Sequence, residues 1–369
     1  MPAKQGPNIY GPFSNNTMTT QFGREGQFYH PFAIGVSREH VYVADRAGRG
    51  RVQCFTFHGE FQSCFNLYFK REEVDETVNG INGHEEEESE EDGIESTDLE
   101  SLTWKTLELE VESGALIVDG KGKVIFVGRG KPCGMDEYTS MECTPVIYIY
   151  DPATEQTTLT RITSESGVIV SKIEDARLLP NGCVALADQN KVHLLDPAGS
   201  IVSSLDLYHP EGFPETASEM CSCGNDTGQG SFIRYPVRFA VYTQDNAILL
   251  PVSITKYGTI KVLDSRKQTV CFQFGSLGLG DGQFHGTTSC NGPYNYPRDV
   301  CVDIWGRIIV SDYGNCRVHM FDREGRFIKH VVTKESGLHT PIAVRTSRDG
   351  RVVVLNAAPP YVQIFSYEP

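Results

Sequence analysis

Nine side chains combine the right chemistry with suggestive placement: Tyr29, Arg49, Arg234, Tyr235, Arg238, Lys256, Tyr296, Arg298 and Tyr313. Tyr29, Tyr235 and Tyr296 come just before prolines that open β-rich runs, and Arg238 and Arg298 come just after such prolines. Arg49, Lys256 and Tyr313 fall in turns between two such runs. Rings that stack, beside guanidinium and ammonium groups that neutralise phosphate, are what single-stranded RNA requires. The same residue types also make up protein hot spots. Asp45/Arg51 and Asp312/Arg317 form a second class, an acid closing a run and an arginine opening the next. Such a pair can pin its turn by a charge-assisted hydrogen bond, so these four are expected to be structural.

Catalytic and metal chemistry find less support. His193 and His319 occupy the same place in two different runs, with no matching histidine elsewhere, and Cys221-Ser222-Cys223 has no second pair at zinc spacing. No catalytic residue, metal or cofactor is expected.

The elements that must position these residues are repeats. One segment reads Tyr296-Pro297-Arg298-Asp299-Val300-Cys301-Val302, then Ile308–Asp312, then Arg317–Phe321 and a closing Gly325. A second reads His30-Pro31, Ala33–Val36, Val41–Asp45, Arg51–Phe55 and Gly59. Their leading edges also match, Phe22-Gly23 to Gln27-Phe28 against Phe274-Gly275 to Gln283-Phe284. Further copies lie at 114–150, 173–199, 235–263 and 341–365. A unit this short cannot cover both faces of its own sheet, so the copies must pack on one another. The pattern predicts an all-β fold, a six-bladed β-propeller of four-stranded antiparallel blades. The last copy lacks an outer strand, which the stretch before Phe22 is expected to supply, closing the ring. The candidate residues then share one end, where the chain crosses between blades and where second strands turn into third strands.

These residues resemble the NHL repeat: Gly-x-Phe, a proline before an inner strand, Val-x-Val-x-Asp, a turn with Asn-x-Arg, Val/Ile-x-x-Phe and a closing glycine. The copies at 22–61 and 274–327 match nearly throughout. Those at 114–150, 173–199 and 235–263 depart at the turn, and the last carries Asn356 in place of the aspartate. The resemblance implies the fold of the propellers found in tripartite-motif (TRIM-NHL) proteins, which bind messenger RNA or recruit substrates for ubiquitin transfer. Tyr235-Pro236-Val237-Arg238 is similar to a segment of RNA-binding members in which the arginine faces the central channel. The chain carries no RING cysteine/histidine array, B-box or coiled-coil heptads, so the resemblance implies recognition, not ligase chemistry, within these residues. Some six-bladed propellers with NHL-like repeats are metal-dependent lyases or hydrolases, the third reading.

The formal charge of −15 is concentrated. Residues 71–100 hold fourteen carboxylates against Arg71, a net −13, which leaves −2 for the remainder. This stretch is too polar to bury a core and is expected to be a disordered insertion in a single domain of residues 1–369. Residues 209–230 are expected to form a second, polar loop insertion. Ser89, followed by Glu90-Glu91-Asp92, fits an acid-directed phosphorylation site. Eleven scattered cysteines and no apolar leader after Met1 argue for free thiols and a cytoplasmic protein. Cys54, Cys183 and Cys301 are expected inside strands as small apolar residues.

The sequence therefore predicts a recognition module that binds a protein partner at the crossing end, such as a substrate for an associated ubiquitin ligase. RNA is the alternative ligand. Neither DNA nor a membrane is expected as a partner.

Overall fold

The computed structural model describes residues 18–23, 27–47, 50–70, 106–132, 144–164, 167, 170, 173–179, 181–188, 191–206, 238–240, 242–244, 247–254, 259–264, 269–284 and 297–367. Both anticipated insertions and Ser89 lie outside them. The described chain is built of antiparallel sheets in the manner of a β-propeller. The first sheet is Pro31–Val36, His40–Asp45, Arg51–Thr56 and Phe61–Asn66, paired in chain order. The third (Ile173–Leu178, Val184–Asp188, Lys191–Leu195, Ile201–Asp206) and fifth (Pro297–Val302, Ile308–Asp312, Arg317–Phe321, Phe327–Val332) repeat that order. The sixth pairs Pro341–Thr346, Arg351–Ala357 and Pro360–Ser366, then takes Met18–Phe22 as its outer strand.

Two sheets depart from the expected four strands. The second contains Thr106–Val118, Val124–Pro132, Thr144–Asp151 and Gln156–Arg161. Its first strand is 13 residues long, and Tyr68–Lys70 pairs with the leading part as a fifth strand. In the fourth, the innermost strand is in two pieces, Arg238–Phe239 and Tyr242–Gln244. Both pair with Ala247–Ile254, which Thr259–Asp264 and Thr269–Phe274 follow. Between the fourth and fifth sheets, Ser276–Leu277 and Gln283–Phe284 form a short parallel ribbon.

The apolar residues sit where sheets face each other, because alternation along each strand gives both faces a buried set. One cluster joins Ile34, Val43 and Phe55 of the first sheet to Val353, Leu355, Val362 and Ile364 of the sixth. Equivalent clusters join the first to the second, second to third, fourth to fifth and fifth to sixth sheets. The innermost strands of successive sheets lie side by side, and that of the sixth lies against that of the first.

The matched leading edges become matched aromatic clusters. Phe22 of the sixth sheet packs on Phe55 of the first at 4.7 Å between centroids, with Phe28 at 5.6 Å from Phe55. Phe274 of the fourth packs on Phe321 of the fifth at 4.7 Å, with Phe284 at 5.7 Å from Phe321. The closing glycine is part of this joint. At Gly325 the backbone takes φ +78°, and a Cβ there would lie 2.5 Å from the Phe274 ring. Only glycine satisfies both the turn and the ring above it.

Cys54 and Cys301 are buried within strands as expected, whereas Cys183 is only partly buried and precedes its strand, in the turn closed by Asn181. All six cysteines among the described residues are free thiols. No helix among the described residues is long and apolar enough to cross a membrane.

Candidate functional site

Each inner strand begins, and each second strand ends, at the end of the sheets where the chain crosses from one sheet to the next. The strand-end acid organises this end. Asp45 accepts hydrogen bonds from the backbone N–H groups of Tyr29 (3.0 Å) and His30 (2.7 Å), which fixes the connection entering the first sheet. Asn356 does the same for His339 (3.3 Å) and Thr340 (3.2 Å). Its neutral side-chain oxygen takes the place of the carboxylate at longer distances, so this departure from the repeat pattern keeps the clamp.

The arginines complete the arrangement. Arg51 Nη2 lies 3.0 Å from Asp45 and donates to the Gln27 carbonyl at 3.0 Å. Arg317 Nε lies 3.4 Å from Asp312, and its Nη groups donate to the carbonyls of Leu279, Gly280 and Gln283. These arginines therefore hold the incoming loop as well as their own turn.

His193 and His319 lie in equivalent positions, both fully buried. His319 Nε2 is 3.3 Å from Asp312 Oδ2; an ionised carboxylate only accepts, so Nε2 carries the proton. Burial, opposed by Asp312, lowers the pKa of His319 to about 4. His193 bonds Ser204 through Nδ1 at 2.7 Å and lies 3.7 Å from Asp188. Gln53 and Gln363 fill the same place in the first and sixth sheets, also buried. Both histidines are thus interior polar partners of strand-end acids. Among the described residues no group of three or more His, Cys, Asp or Glu is arranged to hold a metal ion.

Of the nine predicted residues, Arg49, Arg234, Tyr235, Lys256 and Tyr296 lie outside the described residues. Arg238 is described in its backbone, which pairs with Ser253 as Asp299 pairs with Ser311. Tyr29 is 68% exposed, its ring meeting that of His30 edge-on at 4.5 Å. Arg298 lies over the Tyr313 ring, 5.9 Å from its centroid. In the first sheet the roles are exchanged, with Arg46 over Phe32 at 5.6 Å.

A β-bulge places these residues. In the first, third, fifth and sixth sheets the pairing of the inner strand skips one residue at the same point: Phe32, Glu174, Arg298 and Ile342. A bulge re-aims its side chain and ends regular pairing, a common device beside binding sites. Ring, acid, base and aliphatic chain thus occupy one repeated position near the crossing end of the inner strands.

Further along the inner strands is a charge chain that the sequence reading missed. Arg177 pairs with Asp175 beside it and reaches Asp299 of the fifth sheet at 3.3 Å. Asp299 also pairs with Arg345 of the sixth sheet and accepts from the N–H groups of Val300 (3.0 Å) and Val344 (2.9 Å). Burial opposes the charge on Arg345, but Asp299 and Asp175 outweigh it and hold the guanidinium above its ordinary value. The side chains of Arg177 and Arg345 are only 12% and 15% exposed. Two acids and two arginines, each carboxylate occupied, make a brace tying three sheets together. Cys301 lies beside it, and burial pushes its thiol well up, away from nucleophilic character.

No family model matches the chain, and no curated protein matches it in sequence. Solved structures do match in fold. The WD40 β-propeller domain of Doa1 is similar with a TM-score of 0.50 at 12% identity, over 96% of this chain and 98% of that one. A protein of unknown function from Bacteroides thetaiotaomicron VPI-5482 gives a TM-score of 0.52 at 13% identity, over 92% and 70%. A gluconolactonase from Xanthomonas campestris gives 0.49 at 12% identity, over 92% and 86%. At these identities the likeness establishes the β-propeller fold alone.

Proposed function

We propose that the chain is a non-catalytic recognition module: a closed, six-bladed ring of NHL-type repeats whose crossing end engages a protein partner. The observation that carries this reading is the division of labour at that end. The strand-end acids Asp45 and Asp312 and the interior histidines His193 and His319 are all buried, Asp45 in a clamp that holds the incoming loop. Tyr29, His30 and His339 are exposed at that end beside the ring–guanidinium pairs, and rings with arginine are the residue types of hot spots. The WD40 likeness adds a fold widely used as a rigid platform. Free cysteines fit a reducing compartment such as the cytoplasm.

RNA is the second reading, favoured by the same pairs because guanidinium and ring can sandwich a base. One experiment separates the two. The tagged chain and an Arg46→Gln/Arg298→Gln variant are used for affinity capture from cell extract, with and without ribonuclease. Proteins captured by the wild type, lost with the variant and indifferent to ribonuclease support protein recognition. Salt-sensitive binding of a random single-stranded RNA pool, lost in the variant, would replace it with the RNA reading.

A further inference from the structure

We propose that the paired residues His319 and His330 form a two-coordinate site for a soft monovalent metal ion, copper(I). The site is internal to the fifth sheet; it goes beyond the recognition reading and does not rest on it. His319 of Arg317–Phe321 and His330 of Phe327–Val332 stand directly opposite each other, with ring centroids 4.9 Å apart. Each donates its Nε2 proton to a carboxylate, Asp312 at 3.3 Å and Asp281 at 3.0 Å. That leaves the lone pair on each Nδ1, and both Nδ1 atoms are buried without a hydrogen-bond partner. An unmet buried acceptor is costly, and two on neighbouring rings call for a shared occupant. Other sheets close this repeated position differently. His193 meets Ser204, which takes its Nδ1 at 2.7 Å; Gln53 bonds the Gln27 carbonyl, and Gln363 bonds Gln21. Among the described residues only the fifth sheet sets two imidazoles there.

The chemistry selects the ion. A carboxylate holding one ring nitrogen while the other binds metal is the usual support of a ligating histidine. Burial lowers the pKa of both rings, so both are neutral donors at pH 7. Zinc ordinarily takes four ligands, and among the described residues no third His, Cys, Asp or Glu completes a set here. Two nitrogens suffice for a closed-shell monovalent ion, which prefers linear coordination, and imidazole suits copper. A linear nitrogen–metal–nitrogen unit spans about 4 Å, twice an ordinary metal–imidazole bond. Charge points the same way. Asp281 and Asp312 bring two negative charges and Arg317, paired with Asp312, one positive, so one positive charge is missing. A monovalent ion supplies it. A divalent ion would leave an excess beside the Phe284, Phe321 and Phe327 rings that pack on the pair.

The test loads the full chain with copper(I) under nitrogen, after iodoacetamide has blocked the accessible thiols, and strips loosely held metal with bicinchoninate. The wild type should retain one more copper per chain than His319→Gln or His330→Gln. His193→Gln should retain as much as the wild type, since Ser204 already occupies the Nδ1 of His193. Glutamine is native at the position of His319 in two other sheets, and thermal melts matching the wild type exclude misfolding. Equal retention by all four proteins would assign the copper to thiols and overturn the site. The same difference of one equivalent with zinc(II) would overturn the choice of a monovalent ion. A wild-type crystal soaked in silver(I) gives a readout that needs no variant. An anomalous peak between the two rings is expected. A water there instead, with silver only at cysteines, would overturn the proposal.

Discussion

His319 shows how one buried residue records the logic of the repeat. Its ring is wholly enclosed, edge-on to Phe284 at 5.0 Å and beside His330 at 4.9 Å, with Asp312 on Nε2. Its folded pKa of about 4 lies below the ordinary value of 6.5. The unfolded chain therefore takes up this proton first as the pH falls. The stabilising contribution is complete above about pH 6.5 and is lost progressively as the pH drops towards 4, by about 3 kcal/mol at most. His330, also lowered by burial, adds in the same direction. Urea unfolding of His319→Gln across pH 4–7 should show a shallower loss than the wild type, because glutamine already fills this place as Gln53 and Gln363. Parallel curves for the two proteins would mean that His319 is not neutral in the fold.

Among elements, the joints between sheets were the most legible part. Phe22, Phe28, Phe274 and Phe284 could be read as matched edges because each copy carries its own local spacing, and all four are buried. The strand-end clamps were legible for the same reason, since acid and arginine lie a turn apart. The bulged ring of Phe32, Glu174, Arg298 and Ile342 was not, apart from Arg298, because a bulge has no signature in alternation. The brace of Arg177, Asp299 and Arg345 was hidden more deeply. Its partners lie far apart in the chain, and only the packing of inner strands brings them together. The joints also give a clean comparison of two glycines. Gly325 and Gly122 both have positive φ, but only Gly325 has a ring against the site of a Cβ. Gly122→Ala should cost about 1 kcal/mol, the backbone penalty alone. Gly325→Ala should cost about 2–4 kcal/mol, because the Phe274 ring must also move. Equal losses in chemical denaturation would show that the ring is not fixed by its neighbours.

At the scale of the molecule, the first described strand pairs with the last. Met18–Phe22 pairs with Pro360–Ser366, and Phe22 reaches on to Phe55 of the first sheet. If this strand locks the sheets into one cooperative unit, Phe22→Ala should lose about 3–5 kcal/mol. Calorimetry should show one transition at lower temperature rather than fraying of the sixth sheet alone. A change within about 0.5 kcal/mol, the range of ordinary surface substitutions, would make the strand an ornament. Such rigidity is also what a recognition platform requires, since a preorganised surface loses little entropy on binding. The direct test of that role is a hydrogen-exchange footprint of the full chain with and without a peptide obtained by display selection. Protection is expected at the crossing end, in the residues around Tyr29–Ala33, Pro297–Asp299 and Pro341–Ala343, with the opposite-end turns around Asp303–Arg307 and Asp322–Arg326 unchanged. Protection confined to those opposite turns, or to the outer strands, would contradict the placement of the site.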